Sequence, residues 1–336
     1  QDIYDGAGRL LLGRHILLTE EQISNLEFLG FPGAYVDDEF SRGIEIQQIV
    51  SPEVRRQALK IVYDLFHMDM RKQEPSEAEL KLRKTVESVV DDVICNGDIM
   101  CNIMDIKSYD DYIYYHSIHV GILSVVVGAR LGLPHDELCQ LAAAALLHDI
   151  GKRFIDHDIV RGGKAHRSEE EQEVYRSHPK IGAEYLRETC RFSADVYEGI
   201  MEHHECYNGE GYPLGKKGGE IHLFARIIRI ADCYDAKVSA FPAQKSLSPS
   251  EALEYVMALG DRWFDPDIVA VFARKVAAYP IGCEVELSNG QHAVVARNFE
   301  NFPLRPLVRV VETGEMLNMR DDEKARAVTV GRLIVR

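Results

Sequence analysis

Apolar and polar residues change their period along the chain, and the changes divide it into four parts. Residues 1–50 read as a small mixed unit. DIYDGAGRLLL places an Asp5-Gly6 turn between apolar runs, as in a hairpin. Thr19 and Gln22, in T-E-E-Q, form a capping box that opens a short helix through Leu29, and GAYVDD reads as a strand. Ser51-Pro52-Glu53 then starts a helix, continued by VRRQALKIVYDLF. A polar break at 71–76 leads into a second long helix over about 77–96. These two helices, within 51–97, predict a connector; such helices often pair in a homodimer, and packing onto their own domain is an equal expectation.

From 98 to 280 the helical period persists through HSIHVGILSVVVGARLG, LCQLAAAALLH, EEEQEVYRSH, IGAEYLRE, SADVYEGIMEHH, ARIIRIADCYDA, SPSEALEYVMAL and DPDIVAVFARKV. The nearly all-apolar LCQLAAAALLH must be buried. From 281 to 336 the period falls to two. CEVELSNGQHAVVARN is a pair of strands about Asn289-Gly290, and LVRVVETGEML and AVTVGRLIV follow as strands. The expected fold is mainly α: a helical domain with a small α+β unit before it and a small β unit after it.

Composition narrows the chemistry. The 336 residues carry a formal net charge of -15 with no long basic run, which argues against nucleic acid as a partner. No apolar stretch is expected to approach the ~20 residues of a membrane span, and no signal-peptide pattern is present. The chain starts at Gln1 rather than Met, so its natural N-terminus is expected to be missing. Seven cysteines, an odd number without a CxxC pair, suggest reduced thiols in a cytoplasmic protein. Cys206 and Cys233 read as small buried hydrophobes.

Nine of the thirteen histidines fall between 116 and 204. His148-Asp149 end the buried AAAALL helix, His203-His204 end another, His178 precedes a proline, and Asp232 sits inside the apolar RIIRIADCYDA. A polar helix end would explain one such cluster, but four in one helical domain point to a cation. His116, His148, His178, His203 and His204 offer five bonds, Asp232 one and a bridging Asp149 two, enough for two ions. Nitrogen and oxygen donors without thiolate suit iron or manganese better than structural zinc.

LLHDIGK, SHPKIG, HHECYNGEGYP and IADCYDA, in this order over about 105–260, resemble the HD-GYP family of the HD phosphohydrolase superfamily. The resemblance implies an HD-type helical domain with a two- or three-metal centre that hydrolyses cyclic di-GMP to pGpG and often on to GMP. It implies one metal on His116, His148, Asp149 and Asp232, and another on Asp149, His178, His203 and His204. Lys152 would face the substrate phosphate, and Gly211, Tyr212 and Pro213 would form a loop beside the site. In the family this loop is also implicated in contacts with diguanylate cyclase (GGDEF) domains.

Four departures qualify the resemblance. Tyr112 stands where three-metal members carry a glutamate, so two metals are expected. His119 stands where the family often has asparagine and is expected behind the ligands rather than among them. FIDHDIVRGGKAHRSEEEQ lacks the family's proline after FI. After DxxDA, where members usually show an Arg-x-Tyr-Arg/Lys run that meets substrate phosphate, this chain reads SAFPAQK, with Phe241, Ala243 and Gln244 at those places and Lys245 just beyond. That segment favours a rival reading, a receptor that binds a cyclic dinucleotide without cutting it; the complete ligand set favours the enzyme. A phosphohydrolase for another nucleotide is a further alternative. Oxygen chemistry at a di-iron centre is disfavoured by GxGYP.

Overall fold

The computed structural model describes residues 2–14, 16–29, 38–68, 75–101, 111–162, 166–239 and 246–334. The N-terminal hairpin pairs β1 (Ile3–Tyr4) with β2 (Leu10–Leu12). Its turn differs from the expected one: Gly8, not Gly6, takes the left-handed conformation, at φ 75, and its N–H donates to Asp5 O. Thr19 caps α1 (Glu20–Phe28) through the predicted capping box. The GAYVDD strand, apart from Asp38, lies outside the described residues, as do Phe241, Ala243, Gln244 and Lys245.

α2 (Pro52–His67) begins after Ser51, where the proline predicted it. Ser51 does not cap the helix, however. Its hydroxyl donates to Asp92 Oδ2 at 2.8 Å, on α3 (Pro75–Cys95), and so joins the two helices at one end. Both helices contribute to the main core, through Leu59, Val62 and Leu65 of α2 and Leu82, Val86 and Val90 of α3.

The centre of that core is α4 (Tyr112–Arg130), buried without a break from Tyr115 to Gly128. A helix apolar on all sides has to be enclosed, and α2, α3, α5 (His135–Leu147), α10 (Leu223–Val238) and α12 (Pro266–Lys275) enclose it. α4 also corrects the expectation about apolar stretches. An 18-residue stretch of its 19 residues reaches a mean hydropathy of 1.3, the level of a membrane-crossing helix, with 78% of that stretch buried inside the protein as in a core helix. The rest of the helical layer is a 3-10 turn at Ile150–Phe154, α6 (His157–Arg161), α7 (Glu169–Arg176), α8 (His178–Thr189), α9 (Ala194–Glu202) and α11 (Pro249–Ala258).

The C-terminal strands β3 (Glu284–Leu287), β4 (His292–Arg297), β5 (Leu307–Val310), β6 (Met316–Asn318) and β7 (Val330–Ile334) form one antiparallel sheet in the order β6-β5-β4-β3-β7. Asn289-Gly290 joins β3 to β4 as predicted. Alternate residues, Val285, Leu287, Val308 and Val310 among them, face inward. Asn298 Nδ2 donates to Tyr279 O at 2.8 Å and Glu300 pairs with Lys275 Nζ at 3.0 Å, tying the sheet to the helices. The architecture is the expected one: mainly α, HD-type, with a small N-terminal α+β unit and a C-terminal β unit.

Candidate metal centre

The residues singled out in the sequence come from five places in the helical layer. His116 lies in the second turn of α4, and Asp232 is in the middle of α10. His148 and His203 follow directly on α5 and α9 as their C-terminal caps, and His178 opens α8. Helix ends suit histidine here, because their last carbonyls lack partners. His148 Nδ1 meets Ala145 O at 2.7 Å, His203 Nδ1 meets Ile200 O at 2.6 Å, and His178 Nδ1 meets Tyr175 O at 2.6 Å, from the last turn of α7. A carbonyl only accepts, so each Nδ1 carries the proton and each Nε2 is left with a lone pair.

Those lone pairs converge. His178 Nε2 lies 3.3 Å from His203 Nε2 and 3.2 Å from Asp149 Oδ1. His148 Nε2 is 3.4 Å from Asp149 Oδ2. None of these atoms can donate to another. His148 Nε2, Asp149 Oδ1 and His204 Nε2 are buried with no hydrogen-bond partner. Each such group costs about 1–3 kcal/mol if left unsatisfied, and acceptors facing acceptors add repulsion. A cation between them removes both penalties, so the donor set fits a metal. Two groups have ligand atoms within 4.8 Å of one another: Asp149, His178, His203 and His204, and His116, His148 and Asp149. Asp149 belongs to both. Asp232 stands outside these two sets, with Oδ1 3.2 Å from His116 Nε2 and Oδ2 3.8 Å from His204 Nδ1.

The charges follow from the geometry. Burial pushes His178 below the ordinary histidine range, and burial with the neighbouring imidazoles pushes His203 and His204 well below it. All three are neutral at pH 7, as ligands must be. Burial acts to raise the Asp149 carboxyl, but His148 and Lys152 outweigh it and hold the group well below its usual range. Lys152 Nζ donates to Asp149 Oδ2 at 2.5 Å. Burial acts against the charge on His116 as well, yet Asp232 and Asp235 raise it to about 9.

Asp235 is the residue that sequence reasoning missed. It is fully buried, and its two oxygens take His116 Nδ1 at 2.8 Å and His119 Nδ1 at 2.7 Å. It fixes the orientation of His116 and occupies His119 behind the cluster. The available signal was its place three residues after Asp232, on the same face of a helix. Tyr112 stacks on His116, with its hydroxyl 3.5 Å from Nδ1, so no carboxylate stands at that position.

The loop at 209–215 is fastened from below. Glu205 is buried and accepts the N–H groups of Leu214 at 2.6 Å and Gly215 at 3.1 Å. Glu202 accepts His222 N at 2.9 Å and pairs with Lys216. Tyr212 stacks on His204 at 4.7 Å, and Gly211 lies against the backbone of Glu205 and Cys206. Cys206 is buried, burial pushes the Cys233 thiol up to about 11, and neither sulfur belongs to the two metal-ligand groups.

A second close approach sets the position of His178. A Cβ on Gly151 would fall 2.0 Å from His178 O and 2.8 Å from Gly182 N. Only glycine lets the HDIGK turn rest on the first turn of α8. The two glycines in HDIGK and HPKIG therefore bring the Asp149 and His178 segments together.

Known proteins resemble this chain in sequence and in fold. The HD domain family model matches residues 102–268. A protein of Pseudomonas aeruginosa named cyclic di-GMP phosphodiesterase PA4108 is 33% identical over 226 residues, covering 67% of this chain and 54% of its own length. The cyclic di-GMP phosphodiesterase response regulator RpfG of Xanthomonas campestris is 39% identical over 151 residues, covering 44% of this chain and 39% of its own. The chain thus spans about half the length of the curated relatives it matches. Among solved structures, Bd1817, an HDG"Y"P protein from Bdellovibrio bacteriovorus, shares the fold, with a TM-score of 0.51 and 18% identity over 75% of this chain and 76% of that one. With its HD, HP, HHE and GYP segments converging on one buried His/Asp cluster, the chain belongs to the HD-GYP branch of the HD domain family.

Proposed function

We propose that this chain is a metal-dependent phosphodiesterase that hydrolyses cyclic di-GMP to linear pGpG. The observation that carries the reading is the convergence of unprotonated Nε2 atoms on both oxygens of a single buried carboxylate, Asp149. His116, His148, Asp149 and Asp232 would hold one ion and Asp149, His178, His203 and His204 a second, iron or manganese by donor type. Bound there, such ions would supply an activated water near neutral pH and neutralise charge on a phosphate. The chain's own side chains do the rest. Lys152 sets a positive charge beside Asp149, where the phosphate oxygen charge grows during cleavage. Asp235 keeps His116 in one orientation, and the fastened 209–215 loop stacks Tyr212 on His204. We assign residues 98–280 to the catalytic domain. The relatives named cyclic di-GMP phosphodiesterases support the choice of substrate.

The test is to load the protein with Fe(II) or Mn(II) without oxygen, incubate it with cyclic di-GMP, and separate the nucleotides by chromatography. Appearance of pGpG is expected. Uncut cyclic di-GMP bound by the loaded protein would favour the receptor reading. Metal analysis of the same samples should give two ions per chain, and values near zero or three would refute the two-ion assignment. Binding should also release protons. His116 is protonated below about 9 in the metal-free chain, so affinity should rise as pH increases toward that value, by up to about tenfold per unit. Metal titrations at pH 6, 7 and 8 read this directly, and a flat profile would mean that binding displaces no proton from His116.

A further inference from the structure

The cluster is unevenly exposed. His148, His178 and His203 are fully buried, whereas the side chains of Lys152, His204, Asp232 and Arg229 keep 12%, 12%, 11% and 16% of their surface. These four mark the side from which a substrate arrives. Two of them are cations, and they differ. Lys152 is matched to Asp149. Arg229, one turn before Asp232 on α10, is not well matched. Its Nη1 stands 3.7 Å from Asp232 Oδ2, beyond hydrogen-bond range, while Asp232 Oδ1 lies 3.2 Å from His116 Nε2. Its Nη2 reaches only the sulfur of Cys206, at 3.8 Å, and its Nε is buried with no partner. The rings of Phe264 and Trp263 lie 5.8 and 6.0 Å from the guanidinium.

An arginine has five donors in a rigid fork, and a half-satisfied one that is mostly buried is costly unless an anion completes it. Two non-bridging oxygens of a phosphodiester match that fork. Arg229 lies on the Cys206 and Trp263 side of Asp232, whereas Lys152 lies against Asp149. We propose that Arg229 is a substrate-binding residue that holds the uncut phosphodiester of a cyclic dinucleotide while the other phosphate is cleaved beside Asp149. This inference rests on the dinucleotide reading above and assigns a contact outside the HD, HP, HHE and GYP segments.

The experiment compares metal-loaded wild type, Arg229→Met and Arg229→Lys on two substrates: cyclic di-GMP, with two phosphates, and bis(4-nitrophenyl) phosphate, with one. For Arg229→Met, KM for cyclic di-GMP should rise roughly 10- to 100-fold, with a smaller change in kcat. KM for the one-phosphate ester should rise by less than a third of that factor, and metal content should match wild type. Arg229→Lys should recover part of the KM, and it carries the comparison if the methionine variant fails to fold. Equal losses on both substrates, or a fall in bound metal, would make Arg229 an ion-pair partner of Asp232 and overturn the inference alone. A wild type that cuts the aryl ester but neither binds nor cuts cyclic di-GMP would overturn the substrate reading and this inference with it.

Discussion

Asp149→Ala is expected to lose at least one metal ion per chain and to reduce phosphodiester hydrolysis by more than the ~10–100-fold typical of changes behind the ligands. The reason is the position of the carboxylate. Oδ1 lies 3.2 Å from His178 Nε2 and 3.8 Å from His203 Nε2; Oδ2 lies 3.4 Å from His148 Nε2 and 3.7 Å from His116 Nε2. Among the described residues, Asp149 is the one member common to both metal-ligand groups. The same change strands Lys152, whose ammonium loses its partner in a mostly buried place, at a cost of about 3–5 kcal/mol. Asp149→Asn keeps the volume and one acceptor oxygen, so it separates charge from packing. Metal analysis, product chromatography and thermal melting of both variants check the expectation. An alanine variant with two ions and near-normal turnover would refute the shared role of Asp149.

Gly151→Ala is expected to be among the most damaging single methyl groups in the domain. Its Cβ would stand 2.0 Å from His178 O, so the start of α8 would have to retreat by roughly 1 Å before the contact became tolerable. Neither contact is a flexible side-chain tip; both are backbone. Such overpacking costs about 1–3 kcal/mol, occasionally more, or about 2–4 °C of melting temperature per kcal/mol in a domain of this size. His178 moves with α8, so the ion shared with His203 and His204 should be lost first. Gly182→Ala provides the graded control: its nearest contact is 3.0 Å, and its loss should be smaller. Equal melting temperatures for wild type and Gly151→Ala would show that the turn yields more easily than the geometry implies.

The members of the His/Asp cluster were legible in the sequence because burying His and Asp together is costly, and several such cases in one domain point to a cation. Helix starts were legible where local chemistry sets them, as at Thr19 and Pro52. The rest depends on contacts between distant segments. Ser51 looked like a cap but bonds to Asp92, forty-one residues away. Asp235 reaches His116 and His119 across the space between α10 and α4. Glu205 could be read as facing water because nothing local says that the loop folds back over it. The Gly151–Gly182 contact has no periodic signature at all. Each of these needs the tertiary arrangement, which one-dimensional patterns do not carry.

The clustered side chains come from α4, the α5 end, α8 and the α9 end, with Asp232 of α10 beside them, so an ion bound there would join segments that are far apart in the unfolded chain. Since the unfolded chain offers no such convergence, ion occupancy and folding are thermodynamically linked. At a free ion concentration 100 times its dissociation constant, one site adds about 2.7 kcal/mol to the unfolding free energy, and at 1,000 times about 4.1. For a protein whose total stability lies in the usual range of roughly 5–15 kcal/mol, that is a substantial share. Metal supply would then govern how much of this chain survives proteolysis in a cell as well as how fast it turns over, and a shortage would lower its abundance before any regulator acted on it.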